Sequence, residues 1–462
     1  MARTIVCIQE YFDGQNFFYL ESPKTYAQAA RAYPLKSKPG SAPFVELRSG
    51  DGSPDLVNQA GESLFADLAM HPAVKPALEA ALQQTEGGFS PICFRLDDVV
   101  DADMLPWEAV RSGTSGFLAL DLRWPIVRLR ETTESAPRLI YEFAEPVRIV
   151  VVLSAAGSSA DTRAPALPQW EKIRKTLCRH SAKPGAIPLE VTILACEATL
   201  VQTIRDAAVP GVSADLIADK EDLIGKIRDK QPHLLHFFCH GTSDETPHLQ
   251  IGTRLDWELE REPSIGLEAR ELRQRGDRDQ NVWLVTLNCC ESATRARDAR
   301  SLANSLVAAG FPAALGMRES IDVETAHLLC EFFYPAVFEL IGSVPEGGRP
   351  LEIEWAAALH EARSGLVNSS AGGALPQAAA KASKTWTIPV LYTRREPIQL
   401  RRLPGGISPA KQKILDFVRG LQQQRAKAAE DYKDLGEAAL APLLAGFDKK
   451  IKEELERLEN TP

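Results

Sequence analysis

Two segments of the chain end in residues of the kind that attack a carbonyl carbon. One reads HLLHFFCHG from His233 to Gly241, and the other reads VWLVTLNCCES from Val282 to Ser292. Each is an apolar run of strand length, followed by His240 in the first case and by Cys289 and Cys290 in the second. In an open α/β sheet, reactive groups gather beyond the carboxyl ends of the strands. If these two strands are neighbours, an imidazole and a thiol face the same edge. The chemistry needs both. A free thiol is mostly protonated at neutral pH, and a nearby imidazole takes its proton or stabilises the thiolate. Gly241 has no Cβ and lets backbone approach a substrate. Its N–H, with that of Cys290, would form an oxyanion hole for a tetrahedral intermediate.

Neighbouring residues of a strand point to opposite faces, so only one of Cys289 and Cys290 can meet His240. The other is then a small buried hydrophobe. His236 shares the face of His240 while the segment stays extended, and a supporting or orienting role is expected for it. A zinc site built from Cys239, His240, Cys289 and Cys290 is not expected, because two adjacent pairs converge poorly on one ion. The glycine-rich stretches are turns, and no phosphate loop of the G-x-x-x-x-G-K-[ST] type is present. No cofactor and no metal are predicted.

The elements that must position these residues are regular from Val147 onward. Strands are predicted over Arg148–Leu153, Leu189–Ala195, His233–Cys239, Val282–Leu287, Pro312–Gly316 and Trp386–Tyr392. Helices are predicted over Gln169–His180, Thr199–Ala207, Lys220–Asp229, Ser301–Ala309, Asp322–Leu340 and Leu351–Leu366. Near-continuous apolar strands alternating with helices imply an α/β fold with a mostly parallel sheet covered on both faces. Ahead of this, residues 1–88 are mixed in pattern, with a loop from Pro34 to Pro43. Residues 89–146 read as short strands around a turn-rich middle, in which Trp107 is expected in the core. The regular part spans 147–395. From about 406 to 462 the chain changes character. Ile414, Leu415, Val418 and Leu421 recur at helical spacing, and so do Leu444, Phe447, Ile451, Leu455 and Leu458. Two amphipathic helices follow. Either they form an antiparallel hairpin offered to a regulatory partner or a second copy, or they dock on the main domain.

Composition bounds the function classes. The chain has 462 residues, of which 44% are hydrophobic and 25% charged, ordinary values for a globular protein and far from those of a disordered one. Its net charge of −9 argues against a general nucleic-acid binder. No apolar run approaches the length of a membrane span. The start, MARTIVCIQEYFDG, lacks the apolar core of a signal peptide. Eight scattered cysteines without framework spacing imply free thiols in a reducing, cytoplasmic setting.

The pair LLHFFCHG and VTLNCCESA resembles the CHAT family of caspase-like cysteine peptidases, of the clan that includes caspases and separase. The likeness extends to LPWEAV at Leu105–Val110, FLALDLRWPIVRL at Phe117–Leu129, SLANSLVAAGFPAALG at Ser301–Gly316, EFFYPAVFEL, AAALHEAR and WTIPVLY. It covers about residues 45–395, with 89–146 as the N-terminal half of the domain and 147–395 as the caspase-like catalytic half. The separation of fifty residues between His240 and Cys290 is also that of caspases. The resemblance implies a caspase-like fold and an endopeptidase acting on a protein substrate, with His240 and Cys290 as the dyad. It further implies switching by a partner or signal, often in bacterial defence or stress. A catalytically silent module of the same fold, used for signalling or assembly, is the alternative. The sequence departs from the family pattern in two places. Cys289 stands where a small residue usually precedes the nucleophile, and the segment Arg318–Asp322 keeps only the acid of a Trp-x-Val-x-Asp pattern. In separase-like members an acid at the position of Asp322 selects a basic side chain, and Asp244 and Glu291 would add negative charge. Cleavage after Arg or Lys is therefore expected. Asp322 also stands where it would cap the following helix through the N–H of Thr325.

Overall fold

The apolar runs become strands of one large sheet. In the computed structural model the described residues are 3–11, 14–50, 55–83, 89–96, 99–132, 138–159, 163–242, 247–273, 281–288, 301–319, 321–370, 380–405, 409–431 and 437–459. The sheet has 14 strands among them. In chain order these are β1 Thr4–Glu10, β2 Asn16–Ser22, β3 Tyr33–Pro34, β4 Ile92–Arg95, β5 Ile126–Arg130, β6 Val147–Ser154 and β7 Leu189–Ala195. They continue with β8 Val212–Leu216, β9 Leu234–Thr242, β10 His248–Ile251, β11 Ile265–Glu268, β12 Leu284–Leu287, β13 Ala313–Met317 and β14 Pro389–Arg394. The spatial order is β8-β7-β6-β9-β12-β13-β14-β5-β4-β1-β2-β3, with β10 and β11 forming a hairpin on the end of β9.

The sheet consists of two parallel blocks joined back to back. From β8 to β13 neighbouring strands run parallel, and so do β14, β5, β4 and β1. Only β13 against β14 breaks the pattern between the blocks, where the pairing is antiparallel. The sheet is thus mostly parallel, as its continuous apolar strands require. The strand start expected at Trp386 is instead a 3-10 turn, Thr385–Thr387, with β14 beginning at Pro389. The buried Trp386 indole N–H donates to Ala380 O at 3.0 Å, which ties that turn to the residues just before it. The helix expected from Leu351 starts at Trp355. The expected boundary at residue 88 is crossed by the sheet, since β1 pairs with β4.

Helices cover both faces. They include α1 Leu56–Ala69, α2 Val74–Leu82, α3 Leu167–Ser181, α4 Ala198–Asp206, α5 Lys220–Lys230, α6 Leu302–Ala308, α7 Val323–Gly342 and α8 Trp355–Ser370; two further helices, α9 Pro409–Asp431 and α10 Glu437–Glu459, follow near the end of the sequence. One face of β9 and β12 buries Leu235, Phe237, Val285 and Leu287 against Leu302 and Leu306 of α6 and Leu249 of the hairpin. The other face lies under α7, which packs against α3 and α8.

The chain divides into two compact units. One comprises residues 1–139, 147–342 and 352–398, and the other 140–146, 343–351 and 399–462. In the second unit a strand at Gln399–Arg402 runs parallel to one at Ile140–Phe143, burying Leu400 and Phe143. The amphipathic runs after residue 408 form α9 and α10, which pack on each other, with Arg425 paired to Asp448 at 2.6 Å.

The LPWEAV segment anchors the first unit through a buried charge pair. Trp107 is fully buried, stacks on Phe94 at 4.4 Å and donates to Ala102 O. Beside it, Arg128 of β5 grips Glu108 through two bonds, Nε–Oε1 at 2.9 Å and Nη2–Oε2 at 2.7 Å. Arg128 also reaches Asp103, which in turn accepts from Tyr392 of β14 at 2.7 Å. Burial opposes ionisation of Glu108, but Arg128, with Arg363 and Arg318 further off, holds its carboxyl below the usual range. Removing one partner strands a buried charge. Glu108→Ala should therefore cost about 3–5 kcal/mol in urea unfolding. A loss of well under about 1 kcal/mol, the scale of an exposed pair, would contradict this account.

Candidate active site

Strands β9 and β12 are parallel neighbours, and their register is regular. Leu234 pairs with Leu284, Leu235 with Val285, His236 with Thr286 and Phe237 with Leu287, so each partner lies fifty residues on. The ladder continues one step, as the N–H of Asn288 donates to Phe237 O at 2.8 Å. His240 and Cys290 are also fifty residues apart. Cys289 and Cys290, with Asp244 and Glu291, lie outside the described residues.

His240 sits where β9 leaves the large sheet. Its backbone is held by the hairpin strand β10, with His240 opposite Gln250 and Gly241 opposite Leu249. β11 backs that strand in turn. His240 and Gly241 are half-buried. The Nε2 atom of His240 is buried and makes no hydrogen bond among the described residues. The structure therefore presents an imidazole with an uncommitted nitrogen at the carboxyl edge of the sheet, beside the end of β12.

Alternation along β9 decides which face this imidazole shares. Phe237 and Cys239 join the apolar core on one side. His236 and Phe238 turn to α7 on the other. The Nδ1 atom of His236 lies 2.9 Å from the Tyr334 hydroxyl, and the Phe238 ring is 5.5 Å from that of His327. Residue 240 has the parity of 236 and 238. On β12, Leu287 enters the apolar core, while Thr286 bonds Tyr334 and Asn288 reaches α7. The Asn288 amide donates to Ala326 O at 2.9 Å and approaches Cys330 Sγ at 3.4 Å. Asn288, Tyr334 and His327 carry no signal in the sequence, because their partners lie about forty to a hundred residues away in the chain.

Burial sets the charge states around the site. It pushes the His236 imidazole down to about 3, so this ring is neutral and acts as a fixed polar support. Burial, aided by Lys172 and opposed by Asp322, pushes His327 down to about 4. Burial pushes the thiols of Cys93, Cys196 and Cys330 up to about 12, and the amides of Gln169 and Asn288 only partly offset this at Cys330. Those three are poor nucleophiles. No group of three or more His, Cys, Asp or Glu that could hold a metal ion occurs among the described residues.

Asp322 stands at the start of α7 and is exposed. Both of its carboxylate oxygens are engaged by Thr325, whose N–H donates at 2.9 Å and whose hydroxyl donates at 2.6 Å. The capping role is thus realised. The first turn of the same helix carries Ala326, whose N–H donates to Asp322 O at 3.0 Å and whose carbonyl takes the Asn288 amide, so Asp322 and the end of β12 belong to one packed assembly. Just before it, Arg318 pairs with Glu319 at 2.5 Å, and Glu319 with Lys384 at 2.8 Å.

The model of the CHAT domain matches residues 61–392. The chain belongs to the CHAT family. No curated protein matches it. Two crystal structures of the Saccharomyces cerevisiae separase–securin complex are similar over 83% and 82% of this chain, at 14% identity and TM-scores of 0.34 and 0.32. They match over 22% and 21% of the separase-complex chains, so this CHAT protein spans about a fifth of their length. Family membership therefore rests on the domain match, and the fold on the strand order. No helix among the described residues is long and apolar enough to cross a membrane.

The buried imidazole makes a checkable demand on stability. An unfolded histidine protonates near 6.5, whereas His236 in the fold resists down to about 3. The unfolded chain binds the extra proton between these values, so stability is lost as pH falls below about 6.5. His236→Phe should remove about 1.4 kcal/mol of the stability lost between pH 7.5 and 5.5, read from urea unfolding at both pH values. An unchanged pH dependence in the variant would refute a neutral, buried His236.

Proposed function

We propose that this CHAT protein is a cysteine endopeptidase that cleaves a protein substrate with His240 and Cys290 as its dyad. The observation that carries the reading is the fifty-residue register of β9 and β12, which matches the separation of the two residues. Continuing the alternation of Thr286 and Asn288 gives residue 290 the face of His240 and gives 289 the opposite one. The raised pKa of the buried Cys93, Cys196 and Cys330 makes those three thiols unsuited to act as the nucleophile.

In this mechanism His240 takes the Cys290 proton and the thiolate attacks the scissile carbonyl. The N–H groups of Gly241 and Cys290 hold the oxyanion. The intermediate collapses to a thioester as the amine leaves with the proton from His240, and water, deprotonated by His240, then hydrolyses the thioester and releases the thiol. Substrate choice is assigned to Asp322, with Asp244 and Glu291, and favours Arg over Lys before the scissile bond, since a planar guanidinium pairs a carboxylate through two bonds. Activity is switched by a protein partner or signal in a cytoplasmic defence or stress role. The partner or a second copy binds through α9 and α10, which expose Phe417 and Leu455. Neither membrane nor nucleic acid takes part.

Peptide cleavage by purified protein tests the dyad. Cys290→Ala should abolish turnover and His240→Ala should lower it by about 10²–10⁴, while Cys289→Ala keeps substantial activity. A dead Cys289→Ala beside an active Cys290→Ala would shift the nucleophile by one residue. If no peptide or protein is cleaved even with binding partners added, the silent-module reading takes its place.

Specificity is separable from capping. Asn caps helices as well as Asp but carries no charge. Asp322→Asn should therefore keep thermal stability and lose the preference for Arg over Leu before the scissile bond. An unchanged Arg preference would leave Asp322 as a cap alone. Truncation after residue 405 should change solution mass or partner-dependent activity. If both stay as in the full chain, α9 and α10 are not the binding surface.

A further inference from the structure

Asn288 is a half-satisfied buried amide at the end of β12. It is 1% exposed. Its Nδ2 donates to Ala326 O at 2.9 Å and lies 3.4 Å from Cys330 Sγ, while its Oδ1 is buried with no hydrogen-bond partner among the described residues. A buried polar atom left unpaired is costly, and an isosteric apolar group would avoid the cost. Packing alone therefore does not account for an amide here. What the amide adds is direction. It ties the last laddered residue of β12, bonded through its N–H to Phe237 O at 2.8 Å, to the first turns of α7. That same turn begins at the Asp322 cap. From β9, His236 and Phe238 contact α7 further along. One helix thus receives both strands whose ends carry the dyad.

We propose that Asn288 is a positioning residue. Through the bond to Ala326 O it fixes where β12 ends relative to α7, and so where Cys290, two residues on, presents its sulfur to His240 and to a substrate held near Asp322. This rests on the peptidase reading given above. A side chain that misplaces a reacting atom by about 1 Å can cost a hundredfold in rate without loosening substrate binding.

The test uses full-length protein in a Cys289→Ser background and compares Asn288→Leu with Tyr334→Phe. The second change also removes a bond between α7 and the sheet, but farther from the edge. Peptide turnover, melting temperature and the pH dependence of iodoacetamide labelling of Cys290 are measured for each. Asn288→Leu should lower kcat roughly tenfold to a hundredfold with little change in KM, and should shift the labelling profile of Cys290. Tyr334→Phe should lower the melting temperature and leave the profile in place. Asn288→Asp, whose carboxylate cannot donate to Ala326 O, should resemble Asn288→Leu at neutral pH and recover toward the parent as it protonates in acid. If Asn288→Leu loses no more activity than Tyr334→Phe and labels like the parent, the proposal is overturned. If the parent cleaves nothing, the peptidase reading fails, and the labelling profile alone decides for or against Asn288.

Discussion

Parallel pairing of β9 with β12 is the constraint on which the rest depends. Strands in a sheet lie about 4.8 Å apart, and parallel neighbours end at the same edge. The two strands pair with a register offset of fifty residues from Leu234 to Phe237, the same offset that separates His240 from Cys290 in the sequence. Every other element can be understood as holding that register. β6 flanks β9 on its other side, and the core of α6, α5 and the hairpin fills one face. On the opposite face α7 collects polar contacts from both strands through Tyr334, Ala326 and Cys330. A slip by one residue would turn Phe237 and Leu287 toward those polar groups and His236 into hydrocarbon, so the apolar and polar faces lock the register together.

The N-terminal half extends the sheet beyond β14 through β5, β4, β1, β2 and β3. β14 lies between β13 and β5, and the Tyr392–Asp103–Arg128–Glu108 chain fastens it to the LPWEAV turn. The segment that follows β13 is held in turn by Arg318, Glu319 and Lys384, whose ammonium also binds the carbonyls of Leu47 and Arg48. Residues near the N-terminus thus brace the approach to Asp322.

Much of this was legible in the sequence where burial is complete on both faces. β7 falls on the expected residues, and β6, β9 and β12 differ only at their ends, because such strands show as unbroken apolar runs. In the part of the large sheet after Val147, the strands without a clear signal are edge or hairpin strands. β8 reads VSADL with only Ala214 buried, and β10 and β11 are four residues each, too short for a period to emerge. The reversed direction of β14 was illegible for another reason, since an apolar run reads alike in either direction. At the site, the His240 and cysteine signals stood out because they interrupt apolar runs. The Asp322 cap was visible in the spacing to Thr325. Asn288 and Tyr334 were not, because their roles exist only once α7 lies across the sheet.

The central claim is geometric, and a disulfide trap tests it without any substrate. Two residues level on adjacent strands lie within the Cα separation of about 4.4–6.8 Å that a disulfide accepts. With His240→Cys in a Cys289→Ser background, mild oxidation should join positions 240 and 290, as mapped by mass spectrometry of the unreduced digest. With His240→Cys in a Cys290→Ser background, no bridge to Cys289 should form. A bridge to Cys289 with none to Cys290 would contradict the register on which the account stands.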